Sequence, residues 1–191
     1  DSWHPHSICP ICGSSVRHRL LIASMTQDDA LSLSELVAGK RVLHFAPEQA
    51  FYHRFRKQEN LEYLTTDLNS PLADVKADIC NLPFESDRFD VILCNHVLEH
   101  IPEDRKALSE LFRVMKPGGW GIFQVPQELA REHTFEDPGI TDPDERRRIF
   151  GQYDHVRVYG RDYFDILREA GFHVRAVDYT REMAPGQIDR F

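Results

Sequence analysis

The sequence predicts an α/β chain with a Rossmann-like, doubly wound, mostly parallel sheet of six or seven strands and helices on both faces. Three observations carry this. Short apolar runs of strand type alternate with segments of helical spacing, the connections are short and marked by Gly, Pro, Asp and Ser, and no repeat or low-complexity segment interrupts the alternation. The 191 residues, 41% hydrophobic and 10% aromatic, suffice for one sizeable core with some chain left over. Setting 23 Lys+Arg against 31 Asp+Glu gives −8, a balance that disfavours gripping nucleic acid through its phosphates. No apolar run approaches the ~20 residues of a membrane span, and no secretory signal opens the chain. Four cysteines do not make a disulfide framework in a chain of this size, so a cytoplasmic protein is expected.

The elements follow in order. Cys9-Pro-Ile-Cys12-Gly13 forms a turn that presents two thiolates to one metal, half of a tetrahedral zinc site. No second Cys-x-x-Cys completes it, His4 and His6 are the nearest further ligands, and a free solvent-facing turn is the alternative. Residues 16–39 read as helix in two pieces broken near 26–29, with Gly39 as the stop. A leading segment, 1–39, thus precedes a sheet domain, 40–191. Residues 41–45 form the first strand and a helix runs from about 50 to 57. Residues 61–66 form the second strand, ending on Asp67, and 74–79 hold a short third one. Ser86-Asp87-Arg88 makes a turn into 89–94, the most apolar strand of the chain. The next helix has Pro102 in its first turn and Ala107, Leu108, Leu111, Phe112 and Met115 on its inner face. Pro117-Gly118-Gly119 then turns into a fifth strand over 120–125. Asp142 N-caps a further helix, with Pro143 in its first turn and Glu145 reaching back. A last helix over 161–170 stops at Gly171, and 172–178 read as a sixth strand. The stretch 127–160 is long, charged and marked by proline, as a lid or substrate module is.

In an open α/β sheet the ligand lies beyond the carboxyl ends of the strands. The groups placed there are Ala46-Pro47-Glu48, Asp67-Leu68, Asp78-Ile79 and Asn95-His96, three of which carry a carboxylate. A dinucleotide pyrophosphate needs backbone N–H groups and close approach over glycine at the first turn. This chain has no G-x-G-x-x-G and puts Glu48 there. Like charges ~4 Å apart at an effective dielectric of ~20 cost roughly 4 kcal/mol, which opposes a phosphate and favours a cation. S-adenosylmethionine carries a sulfonium and an ammonium and no phosphate. Asp67 is placed to accept from its ribose hydroxyls and Asp78 from its adenine amino group, with Ile79 and Leu82 as apolar walls.

Three stretches then carry a resemblance. They are Asp78-Ile79-Cys80-Asn81-Leu82-Pro83-Phe84 with Phe89-Asp90-Val91-Ile92, Asn95-His96-Val97-Leu98-Glu99-His100, and Leu111-Phe112-Arg113-Val114-Met115-Lys116-Pro117-Gly118-Gly119. Over residues 41–126 the chain resembles a class I S-adenosylmethionine-dependent methyltransferase of the type 11 subgroup. The Cys-x-x-Cys-Gly-x-x-x-Arg-His-Arg run upstream resembles a zinc-ribbon remnant. The resemblance implies S-adenosylmethionine as cofactor and a rim formed by Phe45, Ala46, Pro47, Glu48, Asp67, Leu68, Asp78, Ile79, Asn95 and His96. One departure stands out, because the family's three alternate glycines read here as Ala46, Glu48 and Ala50. Glu48 pairing with the cofactor's ammonium compensates in one reading; in the other it complements the dipole of the following helix. Arg19 reaches the cofactor's carboxylate or lies on a solvated face, and Phe45 and Phe84 are core or pocket wall.

Methyl transfer needs an acceptor held on the back side of the methyl and, for a hydroxyl or ammonium, a general base. His96 and His155 are the leading catalytic candidates, with His100 and Tyr159 behind them. Arg146-Arg147-Arg148 reads as a solvated helical face, or more sharply as a site for an anionic acceptor. The expected function is methyl transfer to a small-molecule or glycan-type acceptor. A non-catalytic S-adenosylmethionine-binding module and a nicotinamide oxidoreductase are the alternatives. The acceptor, the oligomeric state and a last strand beyond Phe191 stay open.

Overall fold

A computed structural model describes residues 14–25 and 33–176. The Cys9–Cys12 turn, the break at 26–29 and the end of the expected sixth strand lie outside the described residues. The chain divides into two compact units, one of residues 1–40, 48–63 and 176–191, the other of residues 41–47 and 64–175.

The first unit holds α1 (Val16–Met25), α2 (Leu33–Val37) and α3 (Gln49–Phe55). Gly39, at φ +69°, takes the left-handed conformation that ends α2. The core here is aromatic. His18 meets Phe51 edge-on at 5.5 Å, Phe51 stacks on Phe55 at 6.1 Å, and Phe55 tilts against Tyr63 at 5.3 Å.

A five-stranded sheet runs through the second unit in the order β3-β2-β1-β4-β5. Its strands are β1 (Arg41–Phe45), β2 (Glu62–Asp67), β3 (Val75–Lys76), β4 (Phe89–Asn95) and β5 (Met115–Gln124). The pairs β2/β3, β1/β4 and β4/β5 are parallel, with Phe45 opposite Cys94 and Cys94 opposite Phe123. Strand order therefore reverses between β1 and β4, which makes the gap beyond their carboxyl ends the place for a ligand. Leu43, Phe45, Ile92 and Cys94 share one cluster with residues of α4 (Asp104–Val114) and α6 (Tyr163–Glu169). Val42, His44, Val91 and Leu93 alternate with them and are buried too, so both faces of the sheet are covered. At Gly121 an added Cβ would lie 2.9 Å from the Ile92 carbonyl, so the close β4–β5 approach needs glycine there.

Residues 127–160 lie within the second unit. The strands β6 (Phe135–Glu136) and β7 (Arg157–Val158) pair antiparallel around α5 (Pro143–Phe150). The Asp142 side chain accepts from the amides of Asp144 and Glu145 at 3.0 and 2.9 Å, the expected N-cap, and Gly151 closes α5 at φ +91°. Arg147 and Arg148 pair with Asp144 and Glu145 one turn back on an exposed face, in agreement with the solvated-face reading.

Four expectations are corrected. The described sheet has five strands, not six or seven, and residues 172–176 form no strand. Phe172 instead spends its apolar surface on Phe112 and Phe123, at 5.2 and 5.0 Å. Pro117-Gly118-Gly119 lies inside β5, where the register against β4 shifts between Phe89 and Val91. Phe112 is 46% exposed rather than inward, its ring lying over Gly171, where an added Cβ would come within 2.8 Å of it. No helix among the described residues is long and apolar enough to cross a membrane.

Candidate active site

At the switch point two non-glycine residues take left-handed backbone conformations, Ala46 after β1 at φ +45° and His96 after β4 at φ +54°. Such residues store roughly 1–3 kcal/mol of strain and persist where their surroundings over-determine them. Here the amide of Ala46 donates to the Thr66 carbonyl at 3.0 Å and that of His96 to the Gln124 carbonyl at 2.8 Å. Alanine, the smallest side chain after glycine, thus stands in the turn where a glycine is usual. Phe45 is buried in the core cluster and Pro47 is buried beside it.

The carboxylates after β2 and β3 share a plan. Oδ1 of Asp67 accepts from the amides of Asn69 and Ser70 at 2.7 and 2.6 Å, and Oδ1 of Asp78 accepts from the Cys80 amide at 2.8 Å. Each folds its own loop through one oxygen. Leu68 is exposed next to Asp67, whereas Ile79 and Leu82 are buried behind the exposed Asp78. α4 anchors the second loop. The Arg113 guanidinium donates to the carbonyls of Leu82 and Phe84 at 3.1 and 2.8 Å, and Glu110 accepts from the Leu82 amide at 2.8 Å. The bond from Arg113 holds the Glu110 carboxyl below its ordinary pKa, against a smaller opposing push from burial.

Glu48 and Arg19 belong to the first unit. Oε1 of Glu48 lies 2.6 Å from His18 Nε2 and accepts from Arg17 at 3.1 Å, so this carboxylate is engaged by α1. It occupies the N-cap position of α3 without making a side-chain cap bond. Arg19 donates to the Ser14 carbonyl at 2.9 Å.

Beyond β4 the structure gathers residues far apart in sequence. His96 Nδ1 lies 3.3 Å from Oε1 of Glu99, and Glu99 is 1% exposed. His155, 7% exposed, faces the Phe150 carbonyl with Nδ1 at 3.1 Å and meets His100 edge-on at 4.7 Å between ring centres. Asn95 is buried at the end of the strand. One arginine locks this arrangement. Arg157, 2% exposed, donates to the carbonyls of Leu98, Ile101 and Pro102 and pairs with Glu136. The Val156 amide also donates to the Glu99 carbonyl at 2.9 Å. Tyr159 is corrected as a candidate base. It is fully buried, its hydroxyl donates to Asp104 at 2.7 Å, and burial and Asp104 push its pKa above the ordinary phenol value. Sequence reasoning gave no role to Glu99, Asp104 or Arg157. The His96/Glu99 spacing of three was the available signal.

Residues 29–123 match the methyltransferase domain family. A demethylmenaquinone methyltransferase of Clavibacter sepedonicus is 49% identical over 45 residues, which are 24% of this chain and 18% of that protein. A ubiquinone biosynthesis O-methyltransferase of Thiobacillus denitrificans is 36% identical over 102 residues, 53% of this chain and 33% of the relative. The chain thus spans no more than about a third of either relative. An S-adenosylmethionine-dependent methyltransferase structure from Mesorhizobium loti superposes with a TM-score of 0.53 at 17% identity, covering 80% of this chain and 82% of that one. The 1,6-didemethyltoxoflavin-N1-methyltransferase of Burkholderia thailandensis, solved with S-adenosylhomocysteine, gives 0.54 at 16% identity, covering 84% and 80%. Sequence and topology agree: residues 29–123 are similar to the methyltransferase domain family, and the described sheet has the fold of S-adenosylmethionine-dependent methyltransferase structures.

Proposed function

We propose that the second unit binds S-adenosylmethionine along the rim of its sheet and transfers the methyl group to a small-molecule acceptor. The observation that carries this is the pair of rim aspartates. Both spend Oδ1 on their own loops and present a carboxylate beyond β2 and β3, beside a left-handed Ala46 at the switch point. A ribose diol and an adenine amino group are donors that suit such acceptors, and a pyrophosphate is repelled by them. The names of the relatives place their acceptors in quinone biosynthesis, which favours an aromatic hydroxyl or ring carbon here.

Bound there, the cofactor supplies an electrophilic methyl carbon on a positively charged leaving group. The protein's own work falls to His96. With Nδ1–H turned to the buried Glu99 carboxylate, its lone pair sits on Nε2, and the ring is only half-buried. Nε2 takes the acceptor's proton, and Glu99 holds the ring's orientation and stabilises the imidazolium that results. The decisive experiment offers methyl-labelled cofactor with a panel of phenols and quinols. Transfer to an acceptor is expected, reduced ~10²–10⁴-fold in His96→Gln with cofactor affinity unchanged. Transfer at the wild-type rate in His96→Gln contradicts the assignment of the base.

A further inference from the structure

We propose that Glu99, His100 and His155 form a binding site for a divalent first-row transition-metal ion of the zinc or cobalt type. A carboxylate oxygen of Glu99 and one ring nitrogen from each histidine lie within 4.8 Å of one another. Donor atoms on a tetrahedral ion with bonds of about 2.0–2.2 Å lie ~3.3–3.6 Å apart, so the three side chains need draw together by no more than about 1.5 Å to share one ion. Glu99 supplies an independent pointer. Its Oε2 is buried with no hydrogen-bond partner among the described residues, and a carboxylate oxygen taken from water without compensation is costly. A metal ion removes that deficit.

The surroundings have the form of a second coordination shell. A carbonyl only accepts, so the 3.1 Å approach of His155 Nδ1 to the Phe150 carbonyl puts the proton on Nδ1 and the lone pair on Nε2. His100 Nδ1 lies 3.3 Å from the Asp154 carboxylate, which makes the same demand on its ring. Metal-bound imidazoles are commonly oriented in this way by a carbonyl or carboxylate on the far nitrogen. The cluster is also held in advance of any ligand. Val156 N–H donates to the Glu99 carbonyl at 2.9 Å, and the Arg157 guanidinium gathers the carbonyls of Leu98, Ile101 and Pro102. These bonds fix the loop that carries His155, just before β7, against the turn that carries Glu99 and His100.

Two imidazoles and one carboxylate select a borderline ion over magnesium or calcium, which take all-oxygen shells. Three protein ligands leave a tetrahedral ion one position for water or for an acceptor oxygen. Glu99 also faces His96 through its other oxygen, so the ion and the proposed base share one carboxylate. Metal binding itself does not depend on methyl transfer, and its test is read without any acceptor.

The test is titration of the full chain with cobalt(II), followed by visible absorption. A d–d band in the range of four- or five-coordinate cobalt is expected. It is retained in the Cys9→Ser/Cys12→Ser double variant, which separates this site from the cysteine turn. Glu99→Gln, His100→Gln and His155→Gln are each expected to weaken the titration at least ~10-fold. Zinc raises the melting temperature of the wild type, and those variants that keep wild-type far-ultraviolet circular dichroism lose this rise. Two results overturn the site: no cobalt absorption beyond that of the aqueous ion, or cobalt and zinc responses of wild-type strength in folded Glu99→Gln and His155→Gln.

Discussion

Asp67 and Asp78, beyond β2 and β3, hold amides only two or three residues away, whereas Glu99, beyond β4, is buried in a turn gripped by Arg157 from 55 to 59 positions along the chain. The first arrangement is local turn chemistry and leaves Asp78 exposed and Asp67 half-buried. The second depends on bonds from Val156 and Arg157, more than fifty positions along the chain, to the residues just beyond β4. The proposed cofactor side and acceptor side of one rim therefore respond differently to damage. The first side loses ligand without losing structure, and the second loses structure first.

Arg157→Met breaks the second region most severely. It removes donors to three carbonyls and leaves Asp104 and Glu136 without their nearest cation, 3.6 and 2.6 Å away. Removing one partner of a buried pair costs about 3–5 kcal/mol, which urea unfolding will register as a lower midpoint. Asp67→Asn sharpens the contrast on the other side. Asn keeps an Oδ1 for the loop and removes the charge, so the melting temperature stays near wild type while S-adenosylhomocysteine affinity falls. A hydrogen bond to a charged acceptor is worth about 1.5–3 kcal/mol, or roughly 10- to 100-fold in a calorimetric titration. Glu48→Gln probes the first unit, where loss of the charged partner of His18 and Arg17 lowers stability by about 1 kcal/mol.

The smallest effect concerns the clamp of the Asp78 loop. The Glu110 carboxyl titrates below its unfolded value because Arg113 bonds to it, so the pair's stabilisation is complete above the ordinary carboxylate pKa and is lost as pH falls through the lower folded value. The stability gap between wild type and Glu110→Gln is therefore present near neutrality and closes in acid. A gap that stays constant across that range, measured by denaturant unfolding, breaks this account of the loop.

These contrasts also explain what the sequence made legible. β1, β4 and the placement of Asp67 and Asp78 follow from apolar runs and from what stands immediately after them, and α5 follows from Asp142 and Pro143. Glu99 has no role legible in its local pattern, because its burial depends on residues more than fifty positions later. Arg157 sits in Val156-Arg157-Val158, an alternation that reads as an outward charge, and only the carbonyls of Leu98, Ile101 and Pro102 show why it turns inward. The phenol of Tyr159 suits a base by its chemistry alone, and its burial beside Asp104 is again a long-range fact. Ala46 is the intermediate case. Its place after β1 was evident and its left-handed backbone was not, since alanine seldom adopts that conformation.

The central claim is that this rim receives an organic cation and turns away a phosphorylated nucleotide. Calorimetric titration of the full chain with S-adenosylmethionine and, separately, with NADH tests it most directly. The account predicts saturable one-to-one binding of S-adenosylmethionine and no measurable heat with NADH at the same concentrations. Tight NADH binding alongside silence towards S-adenosylmethionine contradicts it.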